Sequence, residues 1–147
     1  MLIRDIPMTD SQRPITIRKN ETVREAAWKM IDFNVGVLVI VDDEGHYAGT
    51  VTDRAMARKV TNPKFSIELD VWAIRTPALS GSPDQTVADL RTRVEIEGTH
   101  FFTLICDADN KPTRIISYAD ALKAENAFLS SGSYDRHTGQ RLPEKAR

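Results

Sequence analysis

Few side chains in this 147-residue sequence are of types and spacings that do chemistry, and most of them group poorly. His46, His100 and His137 are scattered and share no metal-ligand spacing with Cys106, the single cysteine, so neither a zinc nor a ferrous centre is expected. Ser130-Ser131-Gly132-Ser133 with His137 carries hydrolase residue types. It lies in a polar stretch, however, without the strand-turn-helix setting that a nucleophilic serine needs. Cys106 follows an apolar strand-like run and reads as an inert core thiol. No Gly-rich Lys-Ser/Thr phosphate loop and no dinucleotide fingerprint is present. Two hydroxyls remain, Thr52 and Ser117, each where a strand-like run gives way to a helix-like one. Read alone, each is a helix N-cap. Arg54, Arg58 and Lys59 follow Thr52 closely; they suit a phosphate-facing cluster, but a solvated helix face is the favoured reading. An enzyme is not expected.

The bulk properties agree. A hydrophobic fraction of 41% and a charged fraction of 28% describe a globular chain able to build a core without metal or disulfide staples. A net charge of -1 gives no global field for nucleic acid or acidic membrane. The apolar run Val35 to Val41 is too short to span a bilayer, and no signal peptide is visible at Met1-Leu2-Ile3-Arg4-Asp5. With one cysteine and no leader, a cytoplasmic location is expected.

The elements that would position the two hydroxyls occur twice. The stretch from Thr22 to Val60 and the stretch from Thr86 to Ala124 share one pattern, with Thr52 aligned to Ser117 and Asp42 to Asp107, both at an offset of 65. Each copy opens on a short β-like piece, Ile15-Thr16-Ile17 or Ala78-Leu79-Ser80. An amphipathic helix follows, with Val23, Ala27, Met30 and Ile31 or Val87, Leu90 and Val94 at helical spacing; Asn20 and Asp84 are candidate caps. Then come two strands around an Asp/Gly/Asn-rich turn, Asp42 to Gly45 or Asp107 to Asn110. Val35 to Val41 is β-branched and apolar throughout, as for a strand buried on both faces; Phe101 to Cys106 is its counterpart. A closing helix starts after Thr52 or Ser117. The fold class is α/β, two β-α-β-β-α units that pack on each other with pseudo-two-fold symmetry because neither covers its sheet alone. The expected division is residues 1–62, residues 63–125 with their lead-in, and a polar tail over 126–147. The connecting segment Thr61 to Thr76 holds Phe65, Ile67, Leu69, Val71 and Trp72, too apolar for a flexible linker.

The runs Asn34 to Asp43 and Gly49 to Val60 resemble the strand-strand-helix signature of the CBS domain, which usually occurs as a tandem pair (the Bateman module); Ile115 to Leu122 resembles the end of the second copy. The lead-ins Ile3-Arg4-Asp5-Ile6 and Asp70-Val71-Trp72-Ala73-Ile74 suit the same family. The resemblance implies a regulatory module, commonly a homodimer. It would hold AMP, ADP, ATP, S-adenosylmethionine or NAD between its domains as a regulatory ligand rather than a cofactor. It would act on a partner protein in trans, with no part for nucleic acid or membrane.

In that family the ligand signature is Thr or Ser, two residues, then Asp, at the end of the last strand. The hydroxyl and helix-start amides meet a phosphate, and the carboxylate accepts from the ribose hydroxyls. The second copy keeps both groups in Ser117-Tyr118-Ala119-Asp120. Around them the resemblance places Pro77, Ala78 and Leu79 from the opening strand and His100, Phe101 and Phe102 from the next, with Arg114 as a phosphate contact or an obstruction. The first copy, Thr52-Asp53-Arg54-Ala55, keeps the hydroxyl and loses the carboxylate. Asp53 does not replace it, since one helical step turns a side chain about 100° away. The second cleft is the expected ligand site, and Thr52 with Arg54 are the candidates in the first.

Overall fold

The structure, a computed structural model, describes residues 1–97 and 102–130, the side chains at 79, 94–97 and 102 excepted. The repeat becomes two copies of one unit. The first comprises β1 (Thr16–Arg18), α1 (Val23–Phe33), β2 (Val37–Val41), β3 (Tyr47–Thr52) and α2 (Asp53–Val60). The second comprises β4 (Leu79–Gly81), α3 (Val87–Glu97), β5 (Phe102–Cys106), β6 (Pro112–Ser117) and α4 (Tyr118–Ser130). Each unit forms a three-stranded sheet in sequence order, its first strand parallel and its third antiparallel to the middle one.

The registers coincide. Val37 pairs with Thr52 as Phe102 pairs with Ser117, and both sheets slip at the same step, Ile40/Val41 and Ile105/Cys106. The hairpin turns coincide as well. Asp42 Oδ1 accepts from the N–H groups of Glu44 and His46, and Asp107 Oδ1 from those of Asp109 and Lys111. Gly45 (φ 86°) and Asn110 (φ 58°) take the equivalent left-handed positions.

Thr22 caps α1 in a reciprocal box with Glu25, and Thr86 Oγ1 accepts from Asp89 N. These threonines, not Asn20 and Asp84, are the caps, because the helices begin one residue after them. Toward its C-terminus the second unit runs further than its composition suggests. Residues 126–130 continue α4, with Phe128 and Leu129 half-buried, rather than opening the tail.

Side-chain alternation divides each sheet into two faces. Leu38, Ile40 and Val51 pack with Val23, Ala26, Met30 and Met56 of the helices, and Ile105 and Ile116 pack likewise with Val87, Leu90 and Ala121. The other faces meet each other, Val39 and Val41 against Leu104, Cys106 and Ile115. The middle strands are therefore apolar on both sides because both are covered.

The lead-ins are exchanged. Ile3 and Ile6 complete the core of the second unit, while Val71 and Ile74 complete that of the first. Backbone bonds fix the exchange: Ile3 N to Gln85 O at 2.9 Å and Val87 N to Met1 O at 3.0 Å on one side, Val23 N to Leu69 O at 2.9 Å and Val71 N to Glu21 O at 2.7 Å on the other. The connecting segment is thus a packed cover. Among the described residues no helix is long and apolar enough to cross a membrane.

Candidate functional site

Strand register gathers several of the expected ligand residues at one end of the second sheet. Ser117 ends β6 opposite Phe102, and Leu79 stands opposite Thr103, so Ala78 lies beside the start of β5. Leu79 and Phe102 enter by backbone position alone, and His100 and Phe101 lie outside the described residues. Pro77 is exposed, and Ala78 packs half-buried against the cluster between the sheets.

Ser117 Oγ accepts the Asp120 N–H at 3.0 Å and so caps α4, which leaves its own O–H free to donate. Asp120 lies three residues on, on the same side of the first turn. It is half-buried, and its carboxylate has no partner among the described residues. The arrangement offers one hydroxyl donor, one unengaged carboxylate and the positive end of a thirteen-residue helix.

The equivalent end of the first sheet differs. Thr52 Oγ1 caps α2 through Ala55 N at 3.1 Å, and Ala55 supplies no carboxylate. The Asp53 carboxylate accepts the Arg54 N–H at 2.7 Å and lies against Gly36, whose hypothetical Cβ would sit 3.0 Å from Asp53 Oδ2. The first-turn acid is therefore turned toward the start of β2 and held there. The Arg54 side chain is exposed on the outer surface of α2, in keeping with a solvated face.

Arg114 is placed elsewhere. On β6 it shares the face of Ile116, which packs on the helices, whereas Ile115 points to the inter-sheet side. The residue is only 7% exposed. It donates to Gln12 Oε1 at 2.8 Å, Ile3 O at 3.2 Å and Pro7 O at 2.8 Å, and burial lowers its pKa. It is a clamp on the N-terminal segment, neither a phosphate contact nor an obstruction in the cleft. The first unit solves the same position differently. Gly49 leaves room for Trp72, whose ring comes within 3.5 Å of a hypothetical Cβ there. Trp72 is in turn covered by Lys19 and Arg75, at 4.7 and 4.3 Å from its centroid.

Sequence reasoning gave no sign of Tyr47. This first-unit residue packs on the inter-sheet cluster with Ala78; burial raises its pKa, opposed in smaller part by the nearby Ala78 backbone. Only the packing of the two sheets makes them neighbours. Burial, and secondarily the charge of Asp107, likewise raises the Cys106 thiol, consistent with an inert core cysteine.

Behind Ser117, between α3 and α4, is a small cavity of about 10 Å³ lined by Leu90, Arg91, Thr103, Tyr118 and Ala121, among others. It arises where the repeat has Ala121 in place of the larger Met56. Wider open grooves, about 490 and 580 Å³, lie at the opposite, turn-bearing ends of the two sheets and include neither Ser117 nor Asp120. Among the described residues, no group of three or more His, Cys, Asp or Glu could hold a metal.

Two sheets of this topology, closed face to face with exchanged lead-ins, define a paired αβ module. Residues 3–62 match the family model of the CBS domain. MJ1404, an uncharacterized protein of Methanocaldococcus jannaschii, is 46% identical over 50 residues, 34% of this chain and 12% of that protein. The match thus spans about an eighth of that relative. CBS domain protein PAE2072 from Pyrobaculum aerophilum, complexed with AMP, superposes with a TM-score of 0.74 at 12% identity, covering 91% of this chain and 100% of that one. The CBS domain pair of protein MJ0100, in complex with 5'-methylthioadenosine and S-adenosyl-L-methionine, gives 0.68 at 21% identity, covering 91% and 98%. The first unit is thus similar to a CBS domain over residues 3–62, and the two units together have the fold of a CBS domain pair.

Proposed function

We propose that this chain is a non-catalytic regulatory module that takes an adenosine-containing ligand in its second cleft and passes that occupancy to a partner protein. The observation that carries the reading is the unengaged Asp120 carboxylate beside the Ser117 hydroxyl at the head of α4. A carboxylate there accepts from vicinal ribose hydroxyls, and each hydrogen bond to a charged group contributes about 1.5–3 kcal/mol. The helix head and the serine favour a phosphate or a similar anion. Relatives of the same fold described with AMP, or with methylthioadenosine and S-adenosylmethionine, support this ligand class. The first cleft is the weaker candidate: it lacks the carboxylate at Ala55, and the Asp53 charge at Gly36 disfavours an anion.

A thermal-shift panel of AMP, ADP, ATP, S-adenosylmethionine and NAD tests the reading. A binder at a hundred times its Kd stabilises by about 2.7 kcal/mol. The shift is expected to vanish in Asp120→Ala and to persist in Arg54→Ala. A flat profile across the panel overturns it.

A second reading, a ligand-free interaction scaffold, is favoured by one observation: Thr52 and Ser117 both already act as caps. That reading expects the partner to bind equally with and without nucleotide.

A further inference from the structure

Thr50 is fully buried in β3, on the face that meets the other sheet, since it stands opposite Val39 of the inter-sheet cluster. The repeat puts Ile115 at the same place in the second unit, where it packs in that cluster. The fold therefore accepts an apolar side chain here, and a buried hydroxyl is costly unless it is hydrogen-bonded. The Thr50 hydroxyl is bonded, donating to Thr76 O at 2.7 Å. The backbones pair as well, Thr76 N to Thr50 O at 2.7 Å and Thr50 N to Thr76 O at 3.3 Å. The Thr76 hydroxyl adds a longer bond to Thr50 O at 3.3 Å. Together these bonds staple one residue of the connecting segment to the edge strand of the first sheet.

The place of the staple gives it meaning. Thr76 directly precedes Pro77, Ala78 and Leu79, the opening segment of the second cleft. The bridge is antiparallel, so the chain after Thr76 runs back along β3 toward Tyr47, which packs with Ala78 on the inter-sheet cluster. Three residues after Thr76 the chain has changed sheets, and Leu79 pairs with Thr103. Pro77 has no N–H to leave unpaired in that crossing. The strand that holds the segment is itself tied to the second unit, because Tyr47 N donates to Asn110 O at 2.8 Å.

The first cleft is built differently. Strand register aligns Gln12 with Thr76, and Gln12 is held by Arg114, Nε to Oε1 at 2.8 Å. The hydroxyl staple thus belongs to the cleft that keeps the pair Ser117 and Asp120.

We infer that Thr50, a residue of the first unit, is a positioning residue for the second cleft: through Thr76 it fixes the segment Pro77 to Leu79 against which a ligand at Ser117 and Asp120 is held. The effect on a ligand rests on the ligand reading given above; the effect on the segment does not.

Two measurements on the full chain test this. Hydrogen exchange without ligand reads the segment, and isothermal titration with AMP and with S-adenosylmethionine reads the cleft. Thr50→Val removes the hydroxyl and keeps the shape, and Ile115 shows that the fold carries an apolar residue there. The variant is expected to exchange about fivefold faster over residues 76–81, with β1 unchanged, and to bind the ligand about fivefold more weakly. Thr50→Ser keeps the hydroxyl and is expected to restore both values. Ile17→Val, in the helix-side core of the first unit, lowers stability without touching the staple and is expected to leave affinity as in the wild type. Wild-type exchange over residues 76–81 in Thr50→Val overturns the inference. So does wild-type affinity in that variant, or an equal loss of affinity in Ile17→Val. A wild type that binds neither compound removes the ligand reading, and the exchange measurement then decides the positioning role by itself.

Discussion

Replacing Arg114 with methionine removes a cation while keeping most of its volume. Three nitrogens donate at 2.8 to 3.2 Å to Gln12, Ile3 and Pro7, and the residue is 7% exposed. Hydrogen bonds from a charged group contribute about 1.5–3 kcal/mol each. The three are not additive, and the variant also escapes the cost of burying a charge. A net loss of about 3–4 kcal/mol is the expected balance, because the two carbonyls and the Gln12 amide lose their donors under the segment. At about 2–4 °C per kcal/mol for a chain of this size, the melting temperature falls by about 10 °C. Thermal unfolding by circular dichroism measures the total. Hydrogen exchange locates it, since amides over Ile3 to Gln12 should lose protection before those of β1 and β2. A fall of less than about 2 °C, or loss of protection spread evenly over both units, would refute the clamp.

Other perturbations follow from the same geometry. Leu104→Ala, fully buried between the sheets, should cost about 2–5 kcal/mol in denaturant unfolding. Gly45→Asn should be nearly neutral, because Asn110 holds the equivalent left-handed turn, whereas Gly45→Val should lower the melting temperature. The Asp42 carboxylate lies below its usual pKa, first through the His46 backbone N–H, against some desolvation, and then through that of Glu44. Its contribution is therefore full above the unfolded-state value and is lost as pH falls through the lower folded one, so Asp42→Asn should flatten the acid side of the stability profile. Cys106, with its pKa raised by burial, should react with a thiol reagent at mildly alkaline pH only on unfolding.

The repeat made most of the fold legible. Strand order, the bulge position and the two caps Thr52 and Ser117 all recur at one offset, and a β-branched run such as Val37–Val41 has few other structural uses. The opening strands were legible only to within a residue, since three-residue strands carry little periodicity. Arg114 was misleading because its acceptors are mostly backbone carbonyls more than a hundred residues away, and no side-chain pattern announces a carbonyl. The exchange of lead-ins was hidden for a related reason. Ile3-Ile6 and Val71-Ile74 each look like caps on whatever follows them, and sequence does not say which sheet they cover. The pair Ser117 and Asp120 was legible through the family likeness, while Tyr47 beside Ala78 required the packed sheets.

The exchange also imposes an order on synthesis. The stretch Met1 to Gln12 is made long before α3 and β6, its eventual seat, so it must wait until translation has passed Ser117. The first unit, by contrast, can close once Ile74 has emerged from the ribosome. A nascent chain of this protein should therefore acquire protease resistance in two steps, with its earliest residues among the last to become protected.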